Sequence, residues 1–203
     1  MKKQIIILGI TALTAGSCFG QATLKQVNMD TKEKFDIEKF NKNAQNSGSF
    51  YEYRDSDSTT ITYADRGSRY IIKEIPDFPN MVCVQKIFHK NTLHLKEKGK
   101  YLKEGIPIGI WSYYDEQGNL IREEDTDKGY NLTWDKLKVM LEDENVPFDR
   151  IFNISRGVNS KNGSLTWLIE WHLPDRVHSE FLIYDATKCE LISKEIEKIE
   201  IEF

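Results

Sequence analysis

Residues 165–173 read Leu-Thr-Trp-Leu-Ile-Glu-Trp-His-Leu. Leu165, Trp167, Ile169, Trp171 and Leu173 alternate with Thr166, Leu168, Glu170 and His172. Successive side chains of a strand point to opposite faces, so this stretch presents one wholly apolar, aromatic face and one mixed face. It is the strongest strand signal in the chain. An apolar face of that kind needs a covering layer.

Working outward from it supplies the layer. Upstream, Trp134, Leu137, Met140 and Leu141 fall at helical spacing, Asn131 or Thr133 can cap the helix, and Asp135 suits its first turn. Pro147 ends it, Ile151–Ile154 reads as a short strand, and 155–164 reads as a Gly/Ser/Asn loop. Downstream, Pro174-Asp175-Arg176 turns the chain into a partner strand over 178–184. A second turn at 185–188 leads to a last strand from Glu190, and the tail 195–203 alternates Ile199, Ile201 and Phe203 with acids.

Residues 50–128 also carry period two, but in shorter pieces. Thr59–Tyr63 and Ser68–Lys73 flank a hairpin turn, and Pro76, Asp77 and Pro79 break the pattern. Val82–Phe88, Leu93–Lys96, Gly99–Leu102, Ile108–Tyr114 and Asn119–Glu123 continue a meander. Glu116-Gln117-Gly118-Asn119 makes a tight turn, with Gly118 free to take positive φ. Asp125, Asp127 and Gly129 mark the boundary to the C-terminal part. The fold expected is α+β: an antiparallel meander over 50–128, then a small helix-plus-antiparallel-sheet region over 129–203. Residues 21–49 read as a polar spacer, or as a short helix carrying Phe35, Ile37 and Phe40 that lies on the first sheet.

Gly105, Pro107, Gly109, Trp111, Tyr114, Asp115 and Gly118, spaced as they are over 99–121, resemble the MORN-repeat variant of exported bacterial proteins, some of them labelled antitoxins. In that motif Gly109 turns the chain into its strand, Trp111 and Tyr114 give a thin sheet its apolar area, and Gly118 closes the hairpin. Trp111 is therefore expected in the core, with an aromatic ligand platform as the alternative. The order helix, strand, Trp-rich strand, aromatic strand and Asp185-Ala-Thr-Lys-Cys189 over 131–195 resembles PepSY-like domains, with Lys188-Cys189 where those show glycine. That resemblance implies peptidase inhibition or protein–protein contact.

The N-terminus, Met1 to Ala22, has a basic start at Lys2 and Lys3, an apolar run from Ile5 to Leu13, and small residues at Ala15, Gly16 and Ser17. This is the tripartite signal-peptide pattern, too short to span a bilayer. Residues 1–20 are expected to be removed and the protein to work in the periplasm or at the cell surface. Cleavage near Gly20 or Ala22 gives a soluble chain, and the Phe19-Gly20-Gln21 end of the leader resembles that of soluble exported Bacteroidetes-type proteins. Ala15-Gly-Ser-Cys18 reads as a degenerate lipobox that would instead place a lipid on Cys18. Without Lys2 and Lys3 the chain carries 26 basic and 32 acidic residues, a net charge of −6. That argues against a nucleic-acid binder, which needs a basic face.

Cys83 and Cys189 remain, either as a disulfide or as isolated thiols, with Cys83 read as a buried strand residue. Nucleophile elbow, zinc-helix, phosphate-loop and dinucleotide motifs are absent from the sequence, so no catalytic residue, cofactor or metal ligand is expected. The acidic runs 55–57 and 123–127 read as solvated turns. The expectation is a non-enzymatic binding protein for a protein or envelope partner, in its concrete form an immunity or inhibitor protein against a secreted toxin or peptidase. A structural or lipid-associated envelope protein is the alternative, and a hydrolase with an unrecognised site comes third. The candidate partner-binding residues are Leu168, Glu170 and His172 on the mixed strand face. A sheet edge at 195–203, or at 181–184 if the tail folds away, could accept a strand from a partner.

Overall fold

A computed structural model describes residues 32–45, 48–55, 58–160, 162–175 and 177–198. The expected leader, Cys18 and the tail 199–203 lie outside the described residues.

The fold is α+β. Seven strands follow one another as an antiparallel meander, β1 (Phe50–Arg54), β2 (Thr59–Asp65), β3 (Arg69–Pro76), β4 (Val82–His89), β5 (Leu95–Leu102), β6 (Pro107–Tyr114) and β7 (Leu120–Asp125), paired in sequence order. Helix α2 (Trp134–Asp143) follows, and then β8 (Ile151–Val158), β9 (Leu165–His172), β10 (His178–Asp185) and β11 (Glu190–Lys198) form a second antiparallel sheet in the order β11-β10-β9-β8. Helix α1 (Ile37–Asn43) precedes both sheets.

The alternation that opens the sequence holds. Trp167, Ile169 and Trp171 are buried on one face of β9, against Trp134, Leu137 and Leu141 of α2. The indole N–H of Trp167 donates to the carbonyl of Leu132 at 2.8 Å, so the one polar group on that ring is satisfied. Thr133 caps α2 through its backbone and makes no side-chain hydrogen bond there. The helix ends at Asp143, before Pro147 is reached, where Asn145 takes φ +57°.

Two expectations about the strands are corrected. The loop expected at 155–164 is strand as far as Val158, because Ser155, Arg156 and Gly157 pair with Leu168, Trp167 and Thr166 of β9. The backbone ladder overrides their polar composition. The meander segments expected around 93–96 and 99–102 are one strand, β5, which Gly99 does not interrupt. Cys83 and Cys189 are both free. Cys83, 1% exposed in β4, is enclosed by its own sheet, and burial pushes its thiol pKa up. Cys189 holds φ +60° in the turn before β11, a conformation that glycine adopts at least cost.

The boundary near residue 129 changes the architecture but does not divide the core. Met81, Leu102 and Ile108 of the meander belong to the same buried cluster as Leu137, Trp167 and Leu182. Arg156 of β8 ties the two sheets together. Its guanidinium pairs with Asp127, donates to the carbonyls of Thr126 (2.9 Å) and Pro107 (3.2 Å), and lies over the rings of Tyr130 and Trp167 at 4.4 and 4.3 Å. Asp127 is thus a fixed anchor and not a solvated turn residue.

A second core closes the far end of the meander. Phe35 and Phe40 pack with Tyr70, Phe88 and Leu95, and Phe35 stacks on Tyr70 with ring centroids 4.2 Å apart. Each fully buried ring of this kind contributes about 1.5–3 kcal/mol of transfer free energy. Asp36 caps α1 by accepting the Lys39 N–H at 2.8 Å. Residues 32–45 are therefore a lid on the first sheet, the helical one of the two expectations for this stretch.

Candidate functional site

The repeat-like hairpin is built by two glycines that serve different needs. Gly109 has φ +66° and open space where a Cβ would stand, so its requirement is conformational. It sits where the β5–β6 register shifts between Lys98 and Lys100, and its N–H donates to Asp127 Oδ2 at 3.0 Å. Gly99 has ordinary φ, but a Cβ there would fall 2.2 Å from Trp111 Cδ2. Its requirement is space: the Trp111 ring lies directly on the β5 backbone, and its indole N–H donates to the carbonyl of Lys100 at 3.0 Å.

Trp111 is not a core residue. It belongs to neither buried cluster and stays partly exposed on the face of the meander opposite the two cores. Tyr114, the other aromatic of the motif, points the other way and packs against the α1 core. Alternation along β6 pairs Trp111 with Tyr113, not with Tyr114. The expected motif therefore splits, with one aromatic closing a core and one standing at the surface. Gly118 does take positive φ (+77°), and the Asp115 carboxylate accepts the N–H groups of Gln117 and Asn119 at 2.9 and 2.8 Å. The hydrogen bonds from Asn119 lead the effects that hold the Asp115 pKa below the usual carboxylate value.

Around Trp111 lies a groove of about 330 Å³, walled by Tyr101, Trp111, Tyr113 and Pro107 and rimmed by Lys73 and Gln85. Several polar groups of the wall have fixed partners. Tyr113 Oη donates to Glu124 Oε2 at 3.1 Å, and the Arg122 guanidinium sits over the Tyr113 ring at 3.6 Å. Lys73 Nζ lies 5.6 Å from the Tyr101 ring centroid. Burial first, and the neighbouring Cys83 thiol second, push the Tyr101 hydroxyl up to about 12, which keeps it a neutral donor. Past Gly105 and Pro107 the groove continues into a shallower depression reaching Tyr130 and Arg156. Rigid aromatic faces beside a cation, a carboxylate and an amide suit the capture of an extended, partly apolar segment.

The residues favoured by the sequence lie elsewhere. Leu168, Glu170 and His172 do share the outer face of β9, as alternation requires. The half-buried Glu170 is engaged within the sheet, accepting from Ser179 Oγ at 3.2 Å and Asn153 Nδ2 at 3.4 Å. His172 is exposed and stacks on Phe152 with centroids 4.1 Å apart, at the border of an open depression that also includes Arg150, Leu173 and Pro174. The structure aligns the three residues but does not gather them into one pocket. Among the described residues, no three His, Cys, Asp or Glu side chains form a metal-ligand group, and no helix is long and apolar enough to cross a membrane.

Sequence reasoning held an aromatic platform at Trp111 only as the alternative, because the groove's lining comes from β3, β4, β5, β6 and β7. The one local signal was the Trp111/Tyr113 spacing of two. Comparison with known protein families, with curated protein sequences and with solved structures returned no match.

Proposed function

We propose that this protein is an exported, non-enzymatic binding protein that holds an extended segment of a protein partner in the Trp111 groove. The observation that carries the reading is Trp111 itself. A large indole is fixed flat on Gly99, fully hydrogen-bonded, and left partly exposed between two further aromatics. A side chain serving only the fold would be expected in one of the two cores. The signal-like N-terminus and the resemblance of residues 99–121 to MORN-variant hairpins support the compartment. With the PepSY-like order of the C-terminal part, they favour an immunity or inhibitor protein acting on a secreted toxin or peptidase.

The test uses the protein's own fluorescence. Trp134, Trp167 and Trp171 are buried, so emission quenched by acrylamide belongs to Trp111. A partner captured from the host envelope fraction is expected to protect that emission, and Trp111→Ala is expected to lose the partner while remaining folded. Because the ring is only half-buried, Trp111→Ala should cost about 1 kcal/mol, less than a core aromatic. A partner that binds Trp111→Ala at full strength would overturn the assignment of the groove.

A further inference from the structure

The groove around Trp111 crosses the strands instead of following one. Its lining runs in strand order from Lys73 on β3 and Gln85 on β4, past Tyr101 on β5, to Trp111 and Tyr113 on β6 and Glu124 on β7. Register fixes the order of the side chains along it. Lys73 pairs with Gln85, and Gln85 with Gly99, the residue on which the Trp111 ring lies. Directly paired residues share a face, so Lys73, Gln85 and the ring form one row. An occupant lying along that row runs across the ladders and not beside a free edge. Strand addition cannot hold it, and side chains must do the recognising.

The two ends of the row differ in charge. At the β7 end the Glu124 carboxylate is matched, since it accepts from Tyr113 Oη at 3.1 Å and from the Arg122 guanidinium at 2.9 Å. At the β3 end Lys73 is the one basic residue of the lining, and its neighbour is the Tyr101 ring, 5.6 Å from Nζ. Lys86, on the opposite face of the same sheet, shows how a partly buried lysine is usually satisfied: Glu33 and Glu74 lie 2.8 and 3.5 Å from its Nζ. Lys73 is also partly buried, yet among the described residues no carboxylate pairs with it. A carboxylate from outside the chain would complete it. The indole N–H of Trp111 and the hydroxyl of Tyr113 are already used within the sheet, so their rings offer apolar contact.

Neighbouring strands lie about 4.8 Å apart, so the stem of Lys73 and the Trp111 ring stand two spacings, roughly 9.6 Å, from each other. A segment in β conformation returns its side chains to one side every two residues, at about 6.6 Å and then about 13 Å. A polyproline II segment returns them every three residues, at about 9.3 Å. The second repeat matches the row and the first does not. We infer that the segment held in the groove lies across the strands in polyproline II conformation, with a carboxylate on Lys73 and an apolar or aromatic side chain three residues away on Trp111. This rests on the groove being a peptide site and names the chemistry of the peptide it takes.

The test pans a random peptide library displayed on phage against the purified protein and, in parallel, against Trp111→Ala, Lys73→Arg, Lys73→Gln and Lys73→Glu, with a thermal melt of each to establish that it is folded. The wild type and Lys73→Arg should enrich Asp or Glu three positions from an apolar or aromatic residue. Lys73→Gln should lose the acid, Lys73→Glu should enrich Lys or Arg in its place, and Trp111→Ala should enrich none of these. The strongest wild-type peptide, synthesised and titrated by its protection of Trp111 emission, should bind Lys73→Glu about tenfold more weakly. Peptides that depend on Trp111 but carry no acid, carry it at another spacing, or bind the Lys73 variants at full strength would overturn this inference alone. If nothing enriches, or if what enriches binds Trp111→Ala equally, the groove takes another occupant, and its assignment as a peptide site falls as well.

Discussion

The two sheets use aromatic side chains in opposite ways. The β8–β11 sheet buries Trp167 and Trp171 completely under α2, and its rings are spent on stability. The meander closes one face at both ends, with α1 over Tyr70 and Phe88 and with the shared core over Leu102 and Ile108. On its other face Tyr101, Trp111 and Tyr113 stand around an open groove. A four-stranded sheet with one helix has a single place to put a large ring. A seven-stranded meander without a full covering layer has a face left over, and a binding surface can be built there without weakening the core.

The sharpest way to break that comparison is to attack the buried side. Trp167→Ala should cost about 3–5 kcal/mol, the usual loss for a fully buried large aromatic. Because Met81, Leu102 and Ile108 share its cluster, the meander should melt with it. Thermal unfolding followed by Trp111 emission and by circular dichroism should give one coincident transition. Two separated transitions would show that the sheets are independent after all.

Next in size is the tie between them. Arg156→Met removes the cation but leaves the Asp127 carboxylate enclosed. With side chains 11% and 17% exposed the pair is nearly buried, and breaking it should cost about 2–4 kcal/mol. Urea unfolding measures the loss, and pairing the change with Asp127→Asn should recover part of it. No loss in the single variant would mean that the sheets are held by apolar contact alone.

The smallest effect sharpens the open side. Gly99→Ala drives a methyl into the Trp111 ring and should cost about 1–3 kcal/mol through overpacking. The more telling signature is optical: a ring lifted off the β5 backbone should be quenched more readily by acrylamide than in the wild type. Unchanged quenching would place the indole elsewhere than on Gly99.

Local alternation and helical spacing made most of this fold legible. The β9 face, the α2 stripe of Trp134, Leu137 and Leu141, the hairpin turn at Gly118 and the order of the meander all follow from residues within a few positions of one another. What escaped depends on partners distant in the chain. Arg156 sits among polar neighbours that suggest a loop, and only pairing with Trp167 makes them strand. Gly99 resembles an interruption until the ring across the ladder shows why a side chain must be absent. Trp111 was grouped with Tyr114 by the motif, although period two had already set them on opposite faces. The groove itself is assembled from five strands, which no local pattern can announce.

The shared core also bears on how such a chain can be inherited. Two sheets of different size and covering invite the idea of recombination, in which one half is exchanged for another at residue 128 or 129. Here the seam runs through Met81, Leu102 and Ile108 on one side and Leu182 on the other, with Arg156 reaching across to Asp127. A graft at that junction would receive an apolar surface shaped for a neighbour it no longer has. The halves are bound to vary together, and a substitution at Ile108 or Leu182 in one lineage would call for an answering change across the seam.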